Sequence, residues 1–127
     1  MKQPKPEQYH EKKRHTEDQF PYNTYLCTIP DDFTEVPVHW HEEAEFIVIQ
    51  KGSGTVFVDL THYHVTAGDI IIVLPGHLHA IREISGQKME YENIIFHPQI
   101  LPVERFQCIV VYNPGVPYFL AGEAAFP

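Results

Sequence analysis

The sequence predicts an all-β domain, a sandwich or closed barrel. Two observations carry that reading. Short apolar or alternating segments recur along the chain, and Gly, Pro and Asp clusters separate them at close intervals.

Residues 1–19 read as a flexible arm, disordered or loosely docked, because Pro4, Pro6 and alternating charges leave no hydrophobic period. The structured domain is expected over 20–127, starting near Phe20. A first strand is predicted over 22–28, and Asp31-Asp32 mark a turn before a second strand over 35–41. Residues 45–50 are nearly all apolar, which suggests a strand buried on both faces or lying in a sandwich core. Gly52-Ser53-Gly54 reads as a hairpin turn, since glycine reaches positive φ without steric cost. The return strand over 55–60 alternates, with Val56, Val58 and Leu60 on one face. Further strands are predicted over 62–65, 70–74, 79–84 and 89–97, with turns at Gly68-Asp69, Pro75-Gly76 and Ser85-Gly86-Gln87. Residues 106–112 fit a strand or part of a helix, and Pro114, Gly115 and Pro117 argue against regular structure at those positions.

Composition bounds the function. A chain of 127 residues is one domain's worth, long enough to bury roughly two-thirds of its unfolded surface. Its hydrophobic content of 43% is that of a globular protein. No apolar run reaches the roughly 20 residues that span a bilayer. The polar first 17 residues do not form a secretory signal, so the cytoplasm is the expected location. The net charge is −8, and the one dense basic group is Lys12-Lys13-Arg14, so the domain is not expected to bind nucleic acid directly. Cys27 and Cys108 are expected to be reduced structural thiols.

Nine histidines are many for this length, and they matter chemically only where several converge. His39 and His41 are two apart, and such positions share a strand face roughly 6.6 Å apart. Trp40 then points the other way. Glu45 lies roughly 13 Å further along a straight strand, so it joins the pair only if the chain folds back near 42–44. His79 follows the Pro75-Gly76 break. Three neutral imidazoles and one carboxylate suit a divalent metal such as Zn, Fe, Mn, Ni or Cu, with coordination positions left for water or substrate. The bland alternative makes Glu42, Glu43 and Glu45 a solvated acidic turn, and His77 and His79 loop residues.

The surroundings of these residues resemble the cupin superfamily. His39-Trp40-His41, three residues, Glu45, six residues and Gly52 follow its first motif, with Phe33 where a leading Gly is usual. Gly68-Asp69, an apolar run and Pro75-Gly76-His77-Leu78-His79 follow its second, with Leu74 in place of a Pro and Glu83 in place of an Asn. This resemblance implies a cupin-type double-stranded β-helix, or jelly-roll barrel, with His39, His41, Glu45 and His79 facing its cavity. His-Trp-His-Glu-Glu, Gly-Ser-Gly-Thr-Val, Ala67-Gly68-Asp69 and Tyr91-Glu92-Asn93-Ile94-Ile95-Phe96-His97-Pro98 narrow it further. Together they resemble the N-terminal sensor domains of AraC-type transcription regulators. That resemblance implies a homodimeric regulator whose DNA-binding domain, with two helix-turn-helix units, lies further along a longer chain. The end at Phe126-Pro127 is accordingly expected to be internal to such a protein.

The leading expectation is a module that binds a small effector, a sugar or another small metabolite, in the barrel. Parity with Glu45 puts Ile47 and Ile49 on the same face as candidate pocket lining. Tyr91 and Asn93 are candidate polar contacts from the last strand. A metal-dependent cupin enzyme, an isomerase or dioxygenase, is the alternative, although His62, His64 and His77 are its only evident acid–base candidates. In a third reading the cluster holds metal only structurally.

Overall fold

A computed structural model describes residues 7–16 and 22–97, together with the backbone of 110–113 and 116–117. Its strands, in chain order, are β1 (Tyr22–Ile29), β2 (Glu35–His39), β3 (Ala44–Val58), β4 (Thr61–Thr66) and β5 (Ile70–Val73). They continue with β6 (His79–Glu83), β7 (Met89–Phe96), β8 (Val110–Asn113) and β9 (Val116–Pro117). All pairings between strands are antiparallel. One sheet has the order β1-β7-β3-β5-β8-β9. The other sets β3 between β4 and β6, with β2 on the far side of β6. The two sheets share β3 and curl around one core, giving the all-β cupin barrel. Among the described residues, no helix is long and apolar enough to cross a membrane.

The long strand β3 corrects the expected hairpin at Gly52-Ser53-Gly54. The chain continues through these residues as one strand, without reversing. Residues 44–52 pair with β7, and 53–58 pair with β4. Gly52 does use a positive φ, 76°, but for a kink rather than a reversal. The register against β7 shifts by one residue between Ile49 and Lys51, so the strand bends there and passes into the second sheet. The reversal comes later, at Asp59-Leu60, where Asp59 adopts φ 52°. Leu60 is therefore a turn residue, 81% exposed, and not the next member of the inner face.

Burial alternates along the strands. In β3 the inward Ile47, Ile49, Val56 and Val58 are buried, and in β5 so are Ile71 and Val73. Their neighbours Phe46, Val48, Ile70 and Ile72 are half-buried on the outer face. The expectation of burial on both faces is thus replaced by a sealed inner face and a partly covered outer one, where Phe46 meets Phe96 edge-to-face at 5.1 Å. The core is completed by Ile29, Val65, Ile81, Met89 and Tyr91. Each such aliphatic side chain contributes about 1.5–3 kcal/mol by leaving water.

One further expectation meets the structure differently, and the docked alternative for the arm is visible. Val116–Pro117 forms a two-residue strand on β8, so regular backbone persists past Pro114 and Gly115. The expectation of a strand or helix over 106–112 is met by a strand over 110–112, and its first residues lie outside the described ones. Residues 7–16, within the expected arm, lie against the barrel. A turn of 3-10 helix spans Glu7–Tyr9, and backbone hydrogen bonds join Trp40 N–H to Tyr9 O (3.0 Å) and Glu11 N–H to Trp40 O (2.8 Å). The His10 and Trp40 rings stack at 4.1 Å.

A Cβ added at Gly52 would sit 1.7 Å from the backbone oxygen of Lys88, while one at Gly86 meets nothing within 4 Å. Both glycines have positive φ, so Gly86→Ala isolates the conformational term. Gly52→Ala should cost about 3 kcal/mol or more, and Gly86→Ala about 1 kcal/mol. Urea unfolding midpoints measure the difference, and equal losses would show that the segment at Lys88, just before β7, yields freely.

Candidate metal centre

His39 ends β2 and His79 opens β6, and the register pairs them directly across the strands. Both rings therefore leave the same face, with centroids 4.1 Å apart. Past His39 the chain leaves the strand and bends at Glu42-Glu43 before β3 begins. The Gly76 N–H donates to His41 O at 2.9 Å, tying this bend to the Pro75-Gly76 turn. Glu45, second residue of β3, is thereby brought back beneath the histidines. One ligand atom from each of His39, His41, Glu45 and His79 lies within 4.8 Å of every other. The fold-back near 42–44 is the geometry that the spacing required. It does not make a solvated acidic turn, because Glu42 is exposed while Glu43 and Glu45 are buried.

Each imidazole is oriented by a backbone carbonyl. The Nδ1 of His39 donates to Pro37 O (2.8 Å), that of His41 to Glu43 O (3.0 Å), and that of His79 to His77 O (2.8 Å). A carbonyl can only accept, so the proton sits on Nδ1 in all three rings. In the neutral ring each Nε2 lone pair is then left facing the centre, the arrangement that prepares histidine for metal ligation, whereas in the metal-free protonated ring of His41 or His79 Nε2 donates to Glu45 instead. Glu45 Oε1 lies 3.0 Å from His41 Nε2 and 3.2 Å from His79 Nε2. Acceptors at those distances need a cation among them, either a proton on nitrogen or a metal ion. The donor set therefore fits a divalent metal with imidazole and carboxylate ligands.

Further residues hold the ligands in place. Asn93 Nδ2 donates to Glu45 Oε2, and Cys27 Sγ approaches Asn93 Oδ1 at 3.9 Å. Asp59 braces the other side: its Oδ2 lies 2.6 Å from His77 Nδ1, and its Oδ1 accepts the Leu78 N–H at 3.2 Å. Asp59 thus fixes the residue whose carbonyl orients His79. Glu43 Oε2 accepts the His15 N–H and the Thr16 hydroxyl, at 2.9 and 3.0 Å, joining the N-terminal segment to the ligand loop. Asp59-Leu60, between Val58 and Thr61, is a turn that local residue chemistry could have revealed. Nothing local in the sequence points to His15, Glu43 or Cys27.

Beside the cluster is a cavity of about 290 Å³. Tyr91 and Asn93 line it, together with His39, His41 and Glu45. Ile47 and Ile49 do not. They are 0% and 1% exposed, within the packed core. Parity places them on the inner face, but it does not give depth, and this part of the barrel is filled by side chains. His62 and His64 lie exposed on β4, and with His77 they stand outside the four-residue cluster.

Charge follows from this geometry. Burial pushes the Glu45 carboxyl up, but hydrogen bonds from His41 and His79 outweigh it and hold the group well below the usual carboxylate range. Burial also disfavours a charged His41, yet the Glu45 carboxylate more than compensates, so His41 is raised. Among the described residues, His39 has no carboxylate partner at hydrogen-bond distance. Burial and repulsion from His79 lower it from 6.5 to about 4, against the Pro37 carbonyl. Burial pushes the Tyr91 phenol and the Cys27 thiol up, so both stay protonated.

The lowered His39 has a signed consequence. The unfolded chain takes up the proton first, so this group's contribution is complete above pH 6.5 and is lost as pH falls through about 4. In metal-free protein, His39→Gln should flatten the fall in melting temperature across that interval by several degrees, at roughly 4–8 °C per kcal/mol. Parallel melting curves for both proteins would refute the assignment.

Comparison with known proteins agrees with this architecture. The family described as AraC-like ligand binding domain matches residues 23–104. Over 115 residues the chain is 29% identical to an uncharacterized HTH-type transcriptional regulator, YdeC, of Bacillus subtilis strain 168, covering 86% of this chain. The chain spans 40% of the length of that curated relative. A cupin protein from Bacteroides fragilis superposes with a TM-score of 0.58 at 22% identity, over 66% of this chain and 75% of that one. Oxalate decarboxylase from Bacillus subtilis, a protein with Mn(II) centres, gives 0.53 at 19% identity, over 61% of this chain and 21% of that one. At such identities these structures show the cupin fold alone. The match over 23–104 goes further: the chain belongs to the AraC-like ligand binding domain family.

Proposed function

We propose that the chain is the effector-sensing domain of an AraC-type transcription regulator, and that its barrel holds a divalent metal (Zn, Ni, Mn or Fe) on His39, His41, Glu45 and His79. The observation that carries this reading is the set of three Nε2 atoms and one carboxylate oxygen gathered beside a cavity of about 290 Å³. A metal bound there supplies a Lewis-acidic anchor for an oxygen donor of the effector.

The chain's own residues supply the rest. The carbonyls of Pro37, Glu43 and His77 keep the imidazoles in the ligating tautomer. Asn93 holds Glu45 from the side of the cavity. A small effector entering this space would favour one arrangement of the barrel over another, and that differential affinity is what a DNA-binding domain in the same polypeptide would read. The reading includes a homodimer, with DNA contacts made outside this domain.

The completeness of the ligand set also favours a second reading, a metal-dependent cupin enzyme. His62, His64 and His77, the acid–base candidates for such an enzyme, stand outside the cluster, which makes the sensor the better reading.

Elemental analysis of the purified chain tests the centre. Wild-type protein should retain close to one divalent ion per chain, and Glu45→Ala and His41→Ala should each lose most of it. Unchanged metal content in both variants would refute the ligand assignment. Asp59→Asn keeps a residue tolerant of positive φ but weakens the brace on His77. It should lower metal affinity about tenfold without abolishing binding.

A further inference from the structure

Most polar groups on the cavity floor are already committed. The Nδ1 atoms of the three histidines donate to backbone carbonyls. The Asn93 amide is divided between Glu45 and Cys27. The Tyr25 hydroxyl is held by His15 at 2.8 Å and by Asn23 at 3.3 Å. A polyhydroxylated ligand such as a sugar needs several uncommitted donors and acceptors, and this floor offers few. The remaining walls are apolar: Phe33, Val36, Ile81 and Ile95.

Charge points to what the cavity does take. Lys13 lines it, with its ammonium 5.7 Å from the centre of the Tyr25 ring. Among the described residues, the ion pairs of this segment join Glu7 to His10 and Lys12, and Glu11 to His15. None of these ion pairs takes Lys13, whose exposed side chain stands at the cavity's rim over the Tyr25 ring. A divalent ion beside the single Glu45 carboxylate leaves one net positive charge at the floor. Glu11, held by His15 at 2.8 Å, lines the cavity too and offsets Lys13, so the surplus positive charge is that of the ion, and the cavity complements an anion with an apolar body.

We propose that the effector is a small monocarboxylate with an apolar body, its carboxylate received between the metal centre and Lys13 and its body against Phe33, Val36, Ile81 and Ile95. This rests on the metal-centred reading above. It makes Lys13 a specificity-determining residue contributed by the N-terminal segment.

The test uses the 127-residue chain loaded with Co(II), whose visible absorption bands report a change in the ion's ligands. Butyrate and benzoate are titrated beside butyramide, benzamide and glucose. Both carboxylates should shift the bands saturably, and the amides and glucose should not. Lys13→Gln should weaken the carboxylates about tenfold while holding the same amount of cobalt. The proposal is overturned if a cobalt-loaded chain responds to neither carboxylate, if the amides or glucose bind as tightly, or if Lys13→Gln binds the carboxylates undiminished. A chain that holds no cobalt overturns the metal-centred reading, and this proposal falls with it.

Discussion

The buried carboxylate of Glu45 is the constraint on which the rest depends. Its side chain is 3% exposed, and a carboxylate removed from water is costly unless cations or hydrogen-bond donors face it. Here the relief comes from three directions. His41 comes from the loop before β3, His79 from β6 and Asn93 from β7. These groups belong to parts of the chain that meet only when both sheets have formed, so the charge rewards the correct topology and penalises a partial one. A proton held between carboxylate and imidazole meets the same requirement as a metal ion, and the site is consistent with either as its cation.

Much of this was legible in the residues. His39-Trp40-His41 at strand spacing, Glu45 after a short break and His79 after Pro75-Gly76 named the four members of the cluster, because ligand chemistry restricts residue type and strand geometry restricts spacing. Strand positions were legible too, since alternating burial leaves a period of two. What stayed hidden was longer-range. Gly52 was read as a reversal because positive φ serves turns and bulges alike, and only the partners across the sheet distinguish them. Ile47 and Ile49 were placed on the correct face but at the wrong depth, because parity carries no information along the barrel axis.

The N-terminal segment exposes another limit. Its polar composition offered no apolar stripe to bury, so an arm was the natural expectation. Its docking relies on backbone pairing beside Trp40, on a His10 ring laid over that indole, and on Glu43 accepting from His15 and Thr16. These interactions are directional and local to a few atoms, and hydrophobic periodicity does not register them. Trp40, turned away from the cluster as alternation required, is the surface on which the segment lies.

The course of β3 links these observations. Glu45 stands near its start, and Asp59, which braces His77 and through it His79, follows directly after its end. Strand, turn, brace and ligand therefore form a closed mechanical circuit that returns to the carboxylate from which it began. In such a circuit no joint moves alone. A change of angle at the Gly52 kink would alter the span between the two anchorages, and so the geometry of the cluster, without touching any of its four residues. Inheritable variation in the centre's properties can thus be written at the bend of a strand, far from the atoms that would bind anything.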